Sequence, residues 1–128
     1  TSSVGRVSRA RISIYLDGLR SEHLMTASKR ITLVDKEDMT LDLEYGTAMG
    51  MNFAILHLPK MKLTKTSYSD FLATVPQIYE FISTVGYEAI HTAIDPNDKS
   101  TAKLLDRLGA VRLGNDQGLD VYEYRGEV

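Results

Sequence analysis

The stretch HTAIDPNDKSTAKLLDRLGAVRLG, residues 91–114, predicts a strand, a turn, a short helix and a second strand in close succession. The apolar run ends at Pro96, which cannot donate to a strand ladder, and the Asn-Asp pair that follows favours bonds to local backbone. Ser100 is suited to cap the helix and Gly109 to end it. We therefore expect this loop chiefly to end the strand and start the helix, with ligand contact as a secondary role.

Length and composition favour one compact, soluble domain. The 128 residues are 43% hydrophobic, and the formal net charge of -2 gives no electrostatic reason to expect nucleic acid. The sequence has no cysteine, which excludes thiolate metal sites and thiol nucleophiles. No apolar run approaches the roughly 20 residues of a membrane span. We expect a single domain over residues 1–128 with a polar N-terminal arm at residues 1–8, no nucleic-acid or membrane partner, and a location in the cytoplasm or within a virus particle.

Two kinds of apolar pattern predict strands. Alternation of apolar and polar residues is typical of half-buried strands, and it occurs at residues 9–16, 29–35 and 39–46. Nearly continuous apolar runs are typical of central strands, and they occur at residues 51–58 and 87–94. Two closing strands flank a turn at residues 115–118.

Three helices connect these strands. The clearest covers residues 67–85, where apolar residues recur every three or four positions and Pro76 should kink or break the helix near Ala73. A shorter helix from Asp17 would have apolar positions Leu19, Leu24 and Met25. The helix after Ser100 should bury Leu104, Leu105 and Leu108 against Ile90, Ile94 and Val111. Because a helix joins the two central strands, the sequence predicts an α/β (mixed α+β) fold, a twisted mixed sheet with a central parallel strand pair and helices on both faces.

Residues 95–110, DPNDKSTAKLLDRLGA, resemble the segment of GNAT-type N-acetyltransferases in which an Asn-containing loop leads into a short helix ending in Leu-Gly-Phe. The positions that match this pattern are Asn97, Ser100, Leu104, Leu108 and Gly109, and Ala110 replaces the usual Phe. Together with the order of elements, the resemblance covers roughly residues 39–124. More narrowly, the short chain is similar to the small GNAT-like proteins encoded by tailed phages, some of which are carried in the virion.

The resemblance implies where acetyl-CoA would bind. The pantetheine arm would pair with the strand that contains Leu56 and Leu58, and the pyrophosphate would lie at the start of the following helix. The implied cofactor contacts at that helix start and in the later loop are Lys65, Thr66, Ser67, Tyr68, Asn97 and Ser100. The family lines this helix start with glycines, whereas KMKLTKTSYSD, residues 60–70, has none. Leu105 also occupies the place of the Tyr that often protonates the leaving thiolate in the family, and leucine cannot transfer a proton.

Glu44, Tyr45 and His57 are the candidate catalytic residues. The resemblance implies a carboxylate near Glu44 and Tyr45 that takes the amine proton through water, and the alternative is an exposed pair at a strand end. His57 and His91 lie on the two central strands, where acid–base chemistry or a hydrogen bond to a backbone carbonyl would each suit a histidine. Two histidines without a suitably spaced third ligand do not predict a metal site.

Three functions remain open. The first is a GNAT-fold protein that is degenerate in catalysis and serves as a structural or interaction module, as in a phage virion. It would need no cofactor, and its partners would be other protein subunits of a particle or a second copy of the chain. The second is an active acetyl-CoA-dependent N-acetyltransferase acting on an amine, favoured by the strand order and the match at residues 95–109. The third is an unrelated small α/β binding domain.

Overall fold

A computed structural model describes residues 25–48 and 50–126. The strands are β1 (Met25–Asp35), β2 (Met39–Ala48), β3 (Met51–Met61), β4 (Ile90–Ile94), β5 (Val111–Asp116) and β6 (Leu119–Tyr124). The helices are α1 (Lys65–Thr84) and α2 (Lys99–Leu108). The predicted polar arm, the strand at residues 9–16 and most of the helix from Asp17 lie outside the described residues. Met25, which we assigned to that helix, instead begins β1.

The six described strands form one mixed sheet in the order β1-β2-β3-β4-β6-β5. β3 and β4 are parallel and pair at Ile55 and His91. Every other neighbouring pair in this sheet is antiparallel. The predicted central pair of parallel strands joined by a helix is therefore confirmed, and the fold is the mixed α/β class expected from the sequence.

One hydrophobic cluster joins both described helices to one face of the sheet. Phe71 and Val75 of α1 and Leu104 and Leu105 of α2 are fully or almost fully buried in it. They meet sheet residues that include Leu56, Ile90, Ile94 and Tyr122. Leu108 is half-buried against the same cluster. The predicted burial is thus confirmed for Leu104 and Leu105 and is partial for Leu108. Both described helices lie on the same face of the sheet, whereas we predicted helices on both faces.

Val111 does not join this cluster, contrary to our prediction, because its side chain is 60% exposed. It lies directly opposite Glu123 in the pairing of β5 with β6. Opposed residues place their side chains on the same face of a sheet, and Glu123 alternates with the core residues Tyr122 and Tyr124. Val111 therefore points to the face away from the two helices.

Helix α1 continues through Pro76 as one helix, so of the predicted kink or break near Ala73 the break does not occur. Proline removes the backbone donor that would bond four residues earlier, so the helix loses one hydrogen bond there. The flanking Phe71, Val75 and Ile78 are all buried, and their packing holds this stretch in one helix. No helix in the described part of the chain is long and apolar enough to cross a membrane.

Asp98, and not Ser100 as predicted, caps α2. The Asp98 carboxylate accepts hydrogen bonds from the Thr101 amide at 3.1 Å and from the Thr101 hydroxyl at 2.7 Å. Ser100 lies within the first turn of the helix and is exposed. Gly109 ends the helix in the left-handed conformation with φ of 100°, as predicted.

Removing the Asp98 cap should destabilise the protein measurably. We expect Asp98→Ala to lower the free energy of unfolding by about 1 kcal/mol, because the Thr101 amide and its buried hydroxyl lose their acceptor. Ser100→Ala is the matched control and should change it by less than about 0.5 kcal/mol. Urea denaturation of both variants measures the difference, and a larger loss in Ser100→Ala would contradict this assignment of the cap.

Candidate functional site

A cleft of about 360 Å³ opens where the carboxyl ends of β3 and β4 meet the start of α2. β3 and β4 pair at Ile55 and His91. One residue further along each strand, a side chain forms the hydrogen bond between them, because the Thr92 hydroxyl donates to the Leu56 carbonyl at 2.8 Å. From here β3 continues to Met61, whereas β4 ends at Ile94. Open α/β sheets bind ligands where neighbouring strands separate in this way, so the cleft is the candidate site.

His57 lines this cleft and is held by Glu44. His57 Nε2 lies 2.9 Å from Glu44 Oε1, and the two side chains are 24% and 12% exposed. When Nε2 carries the proton, it donates to the carboxylate, and Nδ1 keeps its lone pair as an acceptor. Within the described residues the His57 ring forms no other hydrogen bond. This arrangement is suited to general-base chemistry in the cleft.

Tyr45 is not part of this arrangement, although the sequence placed it beside Glu44. Successive side chains of a strand point to opposite faces, and Tyr45 lies on the face that carries α1. Its ring packs edge-on against Tyr87 with the centroids 6.4 Å apart. Of the three catalytic candidates, the structure brings Glu44 and His57 together and separates Tyr45 from them.

Asp42 and Arg30 adjoin the pair of His57 and Glu44. Asp42 lies directly opposite His57 in the pairing of β2 with β3, and Arg30 Nε is 2.9 Å from Asp42 Oδ2. Burial tends to raise the pKa of Asp42, but hydrogen bonds from Thr32 and Arg30 and the charges of Arg30 and His57 outweigh it, so the pKa lies below its ordinary value. Asp42 is therefore ionised at neutral pH beside the cleft.

The second central histidine, His91, belongs to a different network. His91 Nε2 lies 3.0 Å from Glu123 Oε2, and Arg125 Nε donates to the other oxygen of Glu123 at 2.7 Å. Both histidines thus bond a carboxylate, where we considered a backbone carbonyl. No group of three or more histidine, aspartate or glutamate side chains in the described ranges is placed to hold a metal ion.

At the start of α1, where the resemblance implied a pyrophosphate site, two backbone amides already donate to capping side chains of the helix itself. Thr64 Oγ1 accepts from the Ser67 amide at 3.1 Å, and Ser67 Oγ accepts from the Thr64 amide at 2.9 Å. The Thr64 hydroxyl also donates to Asp38 Oδ2 at 2.7 Å. A carboxylate therefore already lies at the positive end of this helix, where it disfavours a second anion.

The implied cofactor contacts on α1 differ in their access to solvent. Ser67, one of the implied cofactor contacts, is instead fully buried, and its hydroxyl donates to the Lys62 carbonyl at 2.7 Å and completes the cap. Tyr68 is half-buried against the core. Lys65 and Thr66 are exposed. Only these last two offer side chains to a phosphate without rearrangement.

Of the implied cofactor contacts outside α1, two line the cleft and two do not. Leu56 and Leu58 line the cleft, whereas Asn97 and Ser100 are exposed and do not. The cleft wall at this end comprises Asp95, Asp98 and Thr101, which the sequence analysis did not assign to it. The spacing of Asp98 and Thr101 is typical of a helix cap and could have indicated them.

The Asp-Pro-Asn-Asp loop has the turn role that we predicted. The Asn97 amide donates to the Asp95 carboxylate at 2.8 Å, and the Asp98 amide donates to the Asp95 carbonyl at 2.9 Å. These bonds end β4 and lead directly into the capped helix. Leu105 lies in the core and not at the cleft, so it has no part in the site.

Comparisons of the sequence with protein-family models and with curated proteins give no match. Among solved structures, the fold is similar to a chimera of the spermidine N-acetyltransferase SpeG from Vibrio cholerae and hSSAT. The likeness is one of fold. It covers 85% of this chain and 72% of the other at 14% sequence identity, with a TM-score of 0.48. At this level it assigns no role to any residue.

Proposed function

We propose that this chain binds the pantetheine arm of an acyl-CoA in the cleft between β3 and β4 and transfers the acyl group, an acetyl group in the simplest case, to an amine. The observation that carries the proposal is His57, which lines the cleft while Glu44 holds its Nε2 at 2.9 Å. The resemblance of residues 95–110 to GNAT-type acetyltransferases supports the choice of reaction.

His57 is the proposed general base. When bound, the thioester supplies an electrophilic acyl carbon and a thiolate leaving group. His57 Nδ1 takes the proton that the amine nitrogen loses, and Glu44 stabilises the resulting imidazolium through Nε2. Since Leu105 cannot serve as an acid, the same His57 returns its proton to the leaving thiolate, so that one residue serves both steps.

The nucleotide end of the cofactor is expected to contribute little to binding. The α1 start carries the Asp38 carboxylate, and Ser67 is consumed by the helix cap. Exposed lysines at positions 60, 62 and 65 supply positive charge without a built phosphate cradle. We therefore infer that the cleft, and not the helix start, determines affinity.

Ligand-dependent stabilisation tests this proposal. Acetyl-CoA and S-acetyl-N-acetylcysteamine, a short thioester with a blocked amine, should each raise the melting temperature by a similar amount. A ligand at ten times its dissociation constant adds about 1.4 kcal/mol to the free energy of unfolding. Leu58→Trp, which fills the cleft, should abolish the shift, whereas Val111→Trp on the exposed edge should retain it. Absence of a shift with either thioester at millimolar concentration would rule out the cleft as a thioester site.

A second candidate function is an interaction module, and an apolar groove favours it. The groove, of about 690 Å³, lies between β1 and the second half of α1. Ile31, Leu33, Phe81 and Val85 line it, and they are four of the six exposed large hydrophobic side chains in the described part of the chain. Such a patch is typical of a surface that contacts another protein, either a second copy or another subunit of a particle.

Self-association of the wild-type chain tests the second candidate. If two copies meet at the groove, light scattering should give a dimer mass for the wild type and a monomer mass for Phe81→Glu. Phe81 is 68% exposed, so its replacement should leave the melting temperature nearly unchanged. A wild type that stays monomeric at all concentrations would exclude a homo-oligomer at this groove.

A further inference from the structure

The His57 ring lies between two carboxylates of the neighbouring strand. Glu44 bonds its Nε2 directly, and Asp42 lies opposite His57 in the strand pairing. We propose that Asp42 is a positioning residue whose carboxylate stabilises the protonated form of His57, and that Arg30 sets the strength of this effect. The catalytic meaning of this inference rests on the proposed function, because it describes how the proposed base is tuned.

The strand register makes the coupling of Asp42 to His57 direct. Opposed residues of an antiparallel pair hold their Cβ atoms about 4.5 to 5.5 Å apart on the same face. Asp42 is only 9% exposed, so water screens its charge poorly. Coulombic attraction is mutual, and the charge of His57 is among the causes that lower the pKa of Asp42. The ionised Asp42 carboxylate and a protonated His57 ring therefore attract each other across this strand pair.

Arg30 opposes this effect. Its guanidinium Nε bonds Asp42 Oδ2 at 2.9 Å, and Arg30 itself lies directly opposite Glu44 in the pairing of β1 with β2. A cation in this position weakens the attraction between the Asp42 carboxylate and a protonated His57 ring. Arg30 is thus next to both carboxylates but bonds only Asp42 directly, so it offsets the charge of Asp42 the more strongly.

Other charged groups couple less strongly to the ring. Among the described residues, the charged groups near His57 are Arg30, Asp42 and Glu44 on β1 and β2, and Asp95 and Asp98 on the opposite wall of the cleft. His91 and Glu123 share this face of the sheet but bond each other. Asp98 is bonded through both oxygens to Thr101, and Asp95 is exposed and accepts the Asn97 amide. Substitutions of Asp42 or Arg30 should thus change the electrostatic field at the His57 ring without disturbing the turn and the helix cap that Asp95 and Asp98 form.

The test compares Asp42→Asn and Arg30→Met with a matched pair elsewhere on the sheet. Arg112 and Asp120 form an ion pair of the same 2.9 Å length with nearly the same side-chain exposure, 50% and 15% against 49% and 13%. Nuclear magnetic resonance of the imidazole ring measures the pH at which His57 takes up a proton. We expect this pH to fall by about 0.3 to 1 unit in Asp42→Asn, a twofold to tenfold change in the protonation equilibrium, and to rise in Arg30→Met.

Opposite shifts in the two variants identify an electrostatic role, because mere loosening of the strands would not reverse sign. Asp120→Asn and Arg112→Met should leave the His57 titration unchanged. An unchanged titration in Asp42→Asn, or an equal shift in Asp120→Asn, would overturn the proposal. If Asp42→Asn does not fold, Arg30→Met decides, since its side chain is half exposed, and failure of the titration to rise in it would overturn the proposal equally.

The titration is measured on the free protein, so its outcome is independent of acyl transfer. Where transfer is observed, the acidic limb of its pH profile should move in the same direction as the titration, with kcat affected more than KM. A titration that shifts in a protein without transferase activity would refute the proposed function and leave the coupling of Asp42 to His57 intact.

Discussion

Replacing His57 with glutamine should reduce acyl transfer by about 10² to 10⁴-fold, the usual contribution of a general acid–base residue. Glutamine keeps the size and polarity of the side chain and can donate to Glu44, but it cannot take a proton from the amine. The released thiol can be followed with a chromogenic disulfide without background, because the chain has no cysteine. Thioester binding, measured by thermal shift, should be retained in this variant.

Two control variants separate chemistry from stability. Glu44→Gln should lower the rate less than His57→Gln, since it removes only the carboxylate that orients and stabilises the ring. His91→Gln should lower stability and leave the residual protein active, because His91 is buried against Glu123 and does not line the cleft. Full activity in His57→Gln would show that the base lies elsewhere.

The strand and helix order followed from the sequence because burial dictates composition. A strand covered on both faces must be apolar at nearly every position, and Phe53, Ala54, Ile55 and Leu56 are all buried in β3. The apolar residues of α1 likewise recur every three or four positions because only one face of the helix packs on the sheet. These patterns are local, so each could be recognised from a single segment without knowledge of its partner.

The arrangement of the site could be predicted only in part. Glu44 and His57 were both candidates, but their contact depends on the register of β2 with β3, including a shift between Thr40 and Asp42. No single segment records that register, since it is set by long-range packing. Ser67 was misplaced for a different reason, because its hydroxyl looked available for a phosphate and is in fact spent on the cap with Thr64.

Replacing Leu105 with aspartate should have the largest effect on stability. Leu105 is 1% exposed and packs in the cluster that contains Ile90 and Tyr122. The change removes a buried apolar side chain and leaves a carboxylate without a partner, so we expect the free energy of unfolding to fall by about 4 kcal/mol or more. That loss is comparable with the whole stability of a small domain, and the variant should be largely unfolded.

Val111→Asp is the matched control, because Val111 is also apolar but is 60% exposed on the opposite face of the sheet. Urea denaturation and circular dichroism should show a change of less than about 1 kcal/mol for this control. A Leu105→Asp variant as stable as the wild type would mean that position 105 reaches solvent. It would then lie outside the core cluster, and the inference that α2 packs its apolar side chains against the sheet would fail at this position.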